Sequence, residues 1–300
     1  MQIDASFIVP TKNRAAILRH SLPMLLRQES QNYNFEIVVV SDGFESDTAA
    51  VLKEFNSPNL HYDNLKEASG AAAARNRAIE LASGNILIFV DDDSLVLPNF
   101  LQEHLKSHQT SGDAVATGPI IDVSQLPSEA AFPNVRLFDR HLNAFPTGNA
   151  SIPKSRVLDA GGFDETFTTY GWEDPELFHR ISKVDIERKF LTSAPIYHYK
   201  SPGTSLTFPQ QLKQEQSRGR NGALFYTKHP AFSVALQTKQ LKLIQGLDRV
   251  VNSLFGLEEK VEKAIKENWS PTSSTIKSLM LLHAEIDAGR QGYKEFSQSC

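Results

Sequence analysis

Five short runs, SFIVP (6–10), EIVVV (36–40), LHYD (60–63), ILIFV (86–90) and AVATG (114–118), are separated by helix-like stretches at 14–28, 46–56, 70–82 and 98–109. Most of these runs are continuously apolar, so both faces of the strands they form must be covered, and the connections are long enough to bring the chain back in parallel. The alternation predicts an α/β fold: a mainly parallel, Rossmann-like sheet flanked by helices through about residue 120. In open sheets of this kind ligands sit beyond the carboxyl ends of the strands. The segments to inspect are therefore Pro10–Arg14, Ser41–Asp47, Asp63–Gly70 and Asp91–Ser94.

Residues 119–148 lose the pattern and carry Pro119, Pro127, Pro133 and Pro146, which reads as a long irregular excursion. From about 206 strands vanish, and 209–229, 232–268 and 272–289 read as helices broken at Pro230 and Pro271. This divides the chain into a sheet domain, 1–205, and a helical C-terminal subdomain, 206–300. Within the latter, 241–264 is amphipathic, with Leu241, Ile244, Leu247, Val250, Val251, Leu254 and Leu257 at helical spacing, and is expected to pack against its neighbours rather than lie on a membrane or a partner helix.

A net charge of −4 offers no general cationic surface, which argues against nucleic acid as a partner. The single cysteine, Cys300, excludes an intramolecular disulfide or a thiolate zinc site. No run reaches the ~18–20 apolar residues of a membrane span, and the N-terminus lacks the basic start and apolar core of a signal peptide. The expectation is a cytoplasmic chain, with peripheral membrane contact and a homodimer left open.

The densest chemical signal is Asp91-Asp92-Asp93, directly after an apolar strand. Adjacent carboxylates near a core repel unless a cation balances them, and hard divalent cations prefer carboxylate oxygen. The alternative is a solvated acidic turn. Asp42 precedes Gly43 after the second strand, where a carboxylate can accept from a base or ribose and glycine lets the backbone approach; a plain turn is the alternative. Arg75 falls inside the apolar arc of the 70–82 helix, so it requires an anion, either a buried aspartate or a ligand phosphate.

In Tyr170-Gly171-Trp172-Glu173-Asp174-Pro175, Asp174 reads as a helix N-cap with proline at the first helical position and also as a candidate general base. Tyr170 and Trp172 beside paired acids suit a sugar ring, or core packing. His198, between two tyrosines, becomes a metal candidate only beside a carboxylate site. The chain has no P-loop, no dinucleotide-binding glycine fingerprint after the first strand and no serine elbow, which removes the main support for those enzyme classes.

In this order, Ile8-Val-Pro-Thr-Lys-Asn-Arg14, Val38-Val-Val-Ser-Asp-Gly43, Ala74-Arg-Asn-Arg-Ala78, Ser83-Gly84 with Phe89-Val-Asp-Asp-Asp93, Gly148-Asn149, Gly161-Gly-Phe-Asp-Glu165 and Trp172-Glu-Asp174 resemble the family 2 glycosyltransferases, which have the GT-A fold and use nucleotide sugars. The resemblance covers roughly the first two-thirds of the chain. The Gly-Trp-Glu-Asp-Pro-Glu-Leu stretch is also similar to polypeptide N-acetylgalactosaminyltransferases and family 7 galactosyltransferases.

The resemblance implies a metal-dependent, inverting, non-processive transferase moving a sugar from a nucleoside diphosphate sugar, a UDP-sugar by preference, to a hydroxyl of a glycan, a lipid-linked or another acceptor. It implies that Asp42 contacts the base, that Pro10, Thr11, Asn13 and Arg14 line the nucleotide pocket, and that Asp91 and Asp92 lie on the ribose side with Arg75 facing nucleotide or aspartates. Asp93 and His198 would hold Mn2+ or Mg2+, Asp174 would be the base, and Gly148, Asn149, Tyr170, Trp172 and Glu173 would contact acceptor or sugar. Ser41 departs from the family's usual aspartate, and the Gln-x-x-Arg-Trp motif of processive synthases is absent. A retaining transferase, a sugar-nucleotide pyrophosphorylase and an inactive sugar-binding protein are the competing readings.

Overall fold

A computed structural model of the chain describes residues 2–29, 33–110, 113–126, 134–136, 139, 143–200 and 205–298. Cys300, Pro127 and Pro133 lie outside the described residues. The chain divides into two compact units, one of residues 1–168 and 173–204, the other of 169–172 and 205–300. The short segment 169–172, placed by the sequence with the sheet, thus groups with the helical tail.

The strands are β1 (Ala5–Thr11), β2 (Phe35–Ser41), β3 (Leu60–Asn64), β4 (Ile86–Val90), β5 (Ser94–Val96), β6 (Ala114–Thr117), β7 (Ile120–Val123), β8 (Asn149–Pro153), β9 (Glu187–Phe190) and β10 (Ile196–Tyr199). Seven of them form one sheet in the order β3-β2-β1-β4-β8-β6-β9, and the remaining three form a small sheet, β5-β10-β7. The β3-β2-β1-β4 half is parallel, as the apolar runs predict. β8 runs antiparallel between β4 and β6. Its sequence, NASIP, carries only two apolar residues before a proline and gives no strand signal of its own; the strand exists because β4 and β6 satisfy its backbone from both sides.

Alternate residues of the central strands enter two separate cores. Phe7, Val9, Ile37, Val39, Ile88 and Val90 pack with Leu18, Leu22 and Leu25 of helix α1 (Ala15–Leu26), on the face that also takes Val51 and Leu52 of α2 (Ser46–Phe55). Ile8, Val38, Val40, Leu87 and Phe89 pack on the opposite face with Ala74, Ala78 and Ile79 of α3 (Ala71–Leu81). Both faces are covered, which is the physical content of the α/β reading.

β8 is also joined to α4 (Phe100–Thr110) by a buried polar chain. Asn149 Nδ2 donates to the carbonyls of Pro119 and Ala194, both at 2.9 Å. Its Oδ1 must then accept from His104 Nε2, 3.1 Å away, leaving His104 Nδ1 to accept from the Ser151 hydroxyl at 2.8 Å. Ser151 Oγ in turn faces His108 Nε2 at 2.8 Å. Burial pushes His104 down to about 3 and His108 down to about 4, so both stay neutral.

Two short helices, α5 (Lys154–Asp159) and α6 (Glu173–Ile181), complete the unit.

The helical unit holds α7 (Phe208–Lys228), α8 (Phe232–Gln237), α9 (Lys242–Phe255), α10 (Leu257–Glu267) and α11 (Ser274–Gln298). α7 and α11 lie so close that a Cβ at Gly219 would stand 2.0 Å from the Glu285 carbonyl oxygen. Phe208 and Leu212 of α7 meet Leu257, Val261 and Ala264 of α10 and Met280 and Ala284 of α11 in a third core. The continuous helix expected over 232–268 is three helices: the chain leaves α8 at Thr238 and is broken again at the left-handed Gly256, φ 58°. The expectation that the apolar face of 241–264 is packed holds only in part: Leu257 is buried and Val251 packs against the third core, whereas Leu247, Val250 and Leu254 are exposed and the single buried residue of α9 is Asp248. Asp248 is drawn inward by His283 at 2.9 Å, and that rotation turns Leu243, Leu247, Val250 and Leu254 outward. No helix among the described residues is long and apolar enough to cross a membrane.

Because His108 is neutral when folded and protonates when unfolded, it weakens the protein as pH falls below the unfolded histidine value of about 6.5. His108→Gln removes that term. The stability advantage of the wild type over His108→Gln, measured by urea unfolding, should shrink by about 2 kcal/mol between pH 7 and pH 5; a constant gap would contradict the neutral assignment.

Candidate active site

The carboxyl ends of β1, β2 and β4 bring the sequence candidates together. The Asp91–Asp93 segment turns tightly between β4 and β5, with Ser94 N–H donating to the Asp91 carbonyl at 3.1 Å, and its three carboxylates diverge. Asp92 is buried and accepts from Thr11 Oγ1 and from Arg14 Nη1, both at 2.7 Å. Asp93 is buried and accepts from Arg14 Nη1 at 2.6 Å and His198 Nε2 at 3.0 Å. Asp91 turns the other way, toward Arg75 Nη2 at 3.4 Å. The repulsion foreseen for three adjacent acids is therefore offset by two arginines and a histidine.

Burial pushes Asp92 up to about 6, against the pull of Arg14 and Thr11. For Asp93 burial also acts upward, but the His198 hydrogen bond and Arg14 outweigh it and hold the carboxyl below its ordinary range. The same hydrogen bond to Asp93 raises His198, whose Nδ1 lies 3.1 Å from Asp122.

Arg75 occupies the centre of a second acidic group. Its side chain is 7% exposed, and its guanidinium meets Asp91 at 3.4 Å, Glu173 at 3.4 Å and Asp174 at 3.6 Å. Of the two anions the sequence left open, the structure supplies protein carboxylates. Asp174 is held from the other side by Thr147, whose backbone N–H and hydroxyl donate to Oδ2 at 3.1 and 2.8 Å. The other oxygen, Oδ1, is screened from solvent and accepts no hydrogen bond, as is Glu173 Oε2. Burial, reinforced by Glu173 and opposed by Arg75, pushes Asp174 up to about 7. The helix begins one residue before Asp174, so Asp174 sits in its first turn with its side chain engaged by Thr147 rather than capping.

Asp42 is buried at the end of β2. Its Oδ1 accepts from the backbone N–H groups of Ser69 and Gly70 at 2.6 and 2.9 Å, and its Oδ2 from Lys12 Nζ at 2.7 Å. Burial acts upward on this carboxyl, but Lys12 and the two amides outweigh it and lower it below its ordinary range. Pro10 pairs with Val40 at the end of β1, and exposed Asn13 adopts a left-handed φ of 53° with its N–H on Glu45.

Several expected ligand contacts turn out to be internal. Thr11 gives its hydroxyl to Asp92, and Asn149 is wholly buried with its amide committed to His104 and two carbonyls, so both side chains are engaged within the protein. Gly148 serves a close approach: a Cβ there would stand 3.0 Å from Asp91 Oδ2. Trp172 is buried in the helical unit against Phe225 and beneath the Arg218 guanidinium, which leaves no open ring face for a sugar; Tyr170 is 55% exposed. Sequence reasoning gave no role to Lys12, Thr147 or Asp122. Lys12 lay inside a quoted motif, whereas Thr147 and Asp122 fall in the 119–148 stretch whose pattern was lost.

Among the described residues no three His, Cys, Asp or Glu side chains converge as a complete metal cage. Asp93 and His198 nonetheless fit a share of one. Asp93 Oδ1 is buried without a hydrogen-bond partner, and the imidazole beside it is oriented through Nδ1 by a carboxylate, the usual support of a ligating histidine. An oxygen and a nitrogen donor suit Mn2+ or Mg2+ completed by ligand oxygens.

A family model described as "Glycosyl transferase family 2" matches residues 6–156, half of the chain. The chain belongs to that family. A second model, "N-terminal domain of galactosyltransferase", matches residues 130–202 and so takes in Thr147, Glu173, Asp174 and His198. The uncharacterized glycosyltransferase YfnE of Bacillus subtilis is 26% identical over 258 residues, 67% of this chain and 66% of that protein. Validoxylamine A glucosyltransferase of Streptomyces hygroscopicus subsp. jinggangensis is 32% identical over 213 residues, 59% of this chain and 50% of that one. The chain thus spans between half and two-thirds of the length of these relatives. Among solved structures, the mannosyltransferase PcManGT of Pyrobaculum calidifontis, in complex with GDP-Man and Mn2+, superposes with a TM-score of 0.60 at 15% identity, covering 98% of this chain and 88% of that one. At that identity the likeness establishes the GT-A fold.

Removing Arg75 leaves Asp91, Glu173 and Asp174 without their shared cation. Arg75→Met should lower stability at pH 7.5 by about 3 kcal/mol, the scale of a broken buried ion pair. The loss should shrink at pH 5, where Asp174 carries its proton; denaturant titrations at both pH values check the magnitude and its sign.

Proposed function

We propose that this family 2 chain transfers a glycosyl group from a nucleoside diphosphate sugar to an acceptor hydroxyl, with inversion and with Asp174 as general base. The observation that carries the reading is the state of Asp174: Oδ2 pinned by Thr147, Oδ1 facing the Arg75 guanidinium at 3.6 Å without a hydrogen bond, and a proton affinity raised to about 7. A carboxylate so tuned can take a hydroxyl proton near neutral pH.

Oδ1 accepts the acceptor's proton as the acceptor oxygen bonds to the anomeric carbon. The bond from that carbon to the diphosphate breaks, and the leaving group departs with the electron pair. Arg75 keeps Asp174 and Glu173 in place and limits how far burial raises the base. Glu173, whose Oε2 carries no hydrogen bond, is the acceptor contact. At the donor end, Asp42 with Lys12, and Pro10 and Asn13, flank the base, and Asp91 is the exposed aspartate for the ribose. Asp93 and His198 would hold a divalent ion, which would offset charge on the diphosphate. Arg14, 42% exposed at its side chain, lies beside Asp93 where it can reach the same phosphates. A UDP-sugar is the preferred donor.

Asp174→Asn should lower the transfer rate about 10²–10⁴-fold while leaving donor binding intact. In the wild type, kcat/KM should rise with pH up to about 7 and then level, because the base must be ionised; a flat profile across that range would remove Asp174 from the role. Asp93→Ala should abolish the gain in UDP affinity that Mn2+ confers, read by calorimetry with and without the ion, with GDP as the alternative nucleotide.

A further inference from the structure

The outward face of α9 has no partner among the described residues. Leu243, Leu247, Val250 and Leu254 recur at helical spacing along one stripe and are 74%, 59%, 58% and 73% exposed. On α8, Phe232 and Leu236, also four residues apart, are 73% and 51% exposed. A monomer in water gains nothing from a stripe of this kind.

Charge distinguishes the occupants that could cover it. The exposed ionisable residues of α9 are Lys242 and Arg249, which lie together along one edge of the stripe. The helix's only acid, Asp248, points inward to His283 at 2.9 Å and toward Arg290 at 3.8 Å. The next acids, Glu258 and Glu259, belong to the first turn of α10, beyond the break at Gly256. An apolar stripe edged only by cations matches an anionic lipid surface, where leucines enter the acyl boundary and Lys and Arg reach the headgroups. A second copy fits less well: antiparallel two-fold packing of the stripe, Leu243 on Leu254 and Leu247 on Val250, would put Lys242 and Arg249 of both copies on the same side of the pair with no exposed acid of α9 to balance them.

We propose that α9 is a membrane-surface anchor, binding the interface of a bilayer that contains anionic lipid through Leu243, Leu247, Val250 and Leu254, with Lys242 and Arg249 at the headgroups. This surface is independent of the transfer chemistry, since it shares no residue with it.

The test is co-sedimentation of the full chain with vesicles of phosphatidylcholine alone or mixed with phosphatidylglycerol. The wild type should bind the mixed vesicles, and added salt should weaken that binding. Lys242→Glu/Arg249→Glu should erase the preference for phosphatidylglycerol, a loss on the order of tenfold or more in partitioning. Leu247→Glu/Leu254→Glu should lower binding to either vesicle by a similar factor; all four positions are exposed, so thermal melting and UDP affinity should stay at wild-type values. No binding by the wild type, or unchanged binding by both variants, overturns the proposal. So does a dimer in sedimentation equilibrium that the leucine variant dissociates without any effect on vesicles.

Discussion

Everything chemical in the sheet unit depends on Arg75 being charged and dry. Its guanidinium lies under 4 Å from Asp91, Glu173 and Asp174, which come from the end of β4 and the start of α6. Without that cation the two elements would carry mutually repelling acids into one low-dielectric space. Arg14 does the same for Asp92 and Asp93. The consequence is a division of labour among chemically identical groups. Asp92 is raised by burial and tied to Thr11 and Arg14, Asp93 is held below its ordinary range beside His198, and Asp174 is raised to where it can exchange a proton near neutral pH.

This arrangement also explains why an acidic protein can be suited to an anionic ligand. The carboxylates are largely compensated internally, so the field at the strand ends is set by Arg14, Lys12 and Arg75 as much as by the aspartates. β8 supports the site from behind. Thr147 and Gly148 immediately precede it, and the chain from His108 through Ser151 and His104 to Asn149 fixes that strand between β4 and β6.

β1 through β4 and β6 were legible because each is announced by its own β-branched or apolar residues, and the site segments followed from where those strands end. β5, β7, β8, β9 and β10 were not, since they lie outside the regular strand–helix alternation and include polar runs such as ERKF that are strands only by pairing. Side-chain roles were harder still. Thr11, Asn149 and Trp172 have residue types that suit a ligand pocket, and each is engaged inside the protein. The same types serve both purposes, and spacing carries no information about which way a side chain turns.

Sequence alone determined the layer architecture of the first half, the strand ends that carry Asp42 and Asp91–Asp93, and the need of Arg75 on its helix for an anion, because hydrophobic period and local charge are encoded residue by residue. Only the tertiary structure decided which carboxylates Arg75 joins, that Thr147 pins one oxygen of Asp174 and leaves the other without a hydrogen bond, and that the leucine stripe of α9 faces outward with Asp248 tied to His283. Those outcomes rest on contacts between positions dozens of residues apart, whose energies are set by burial and geometry that exist only once the chain has folded.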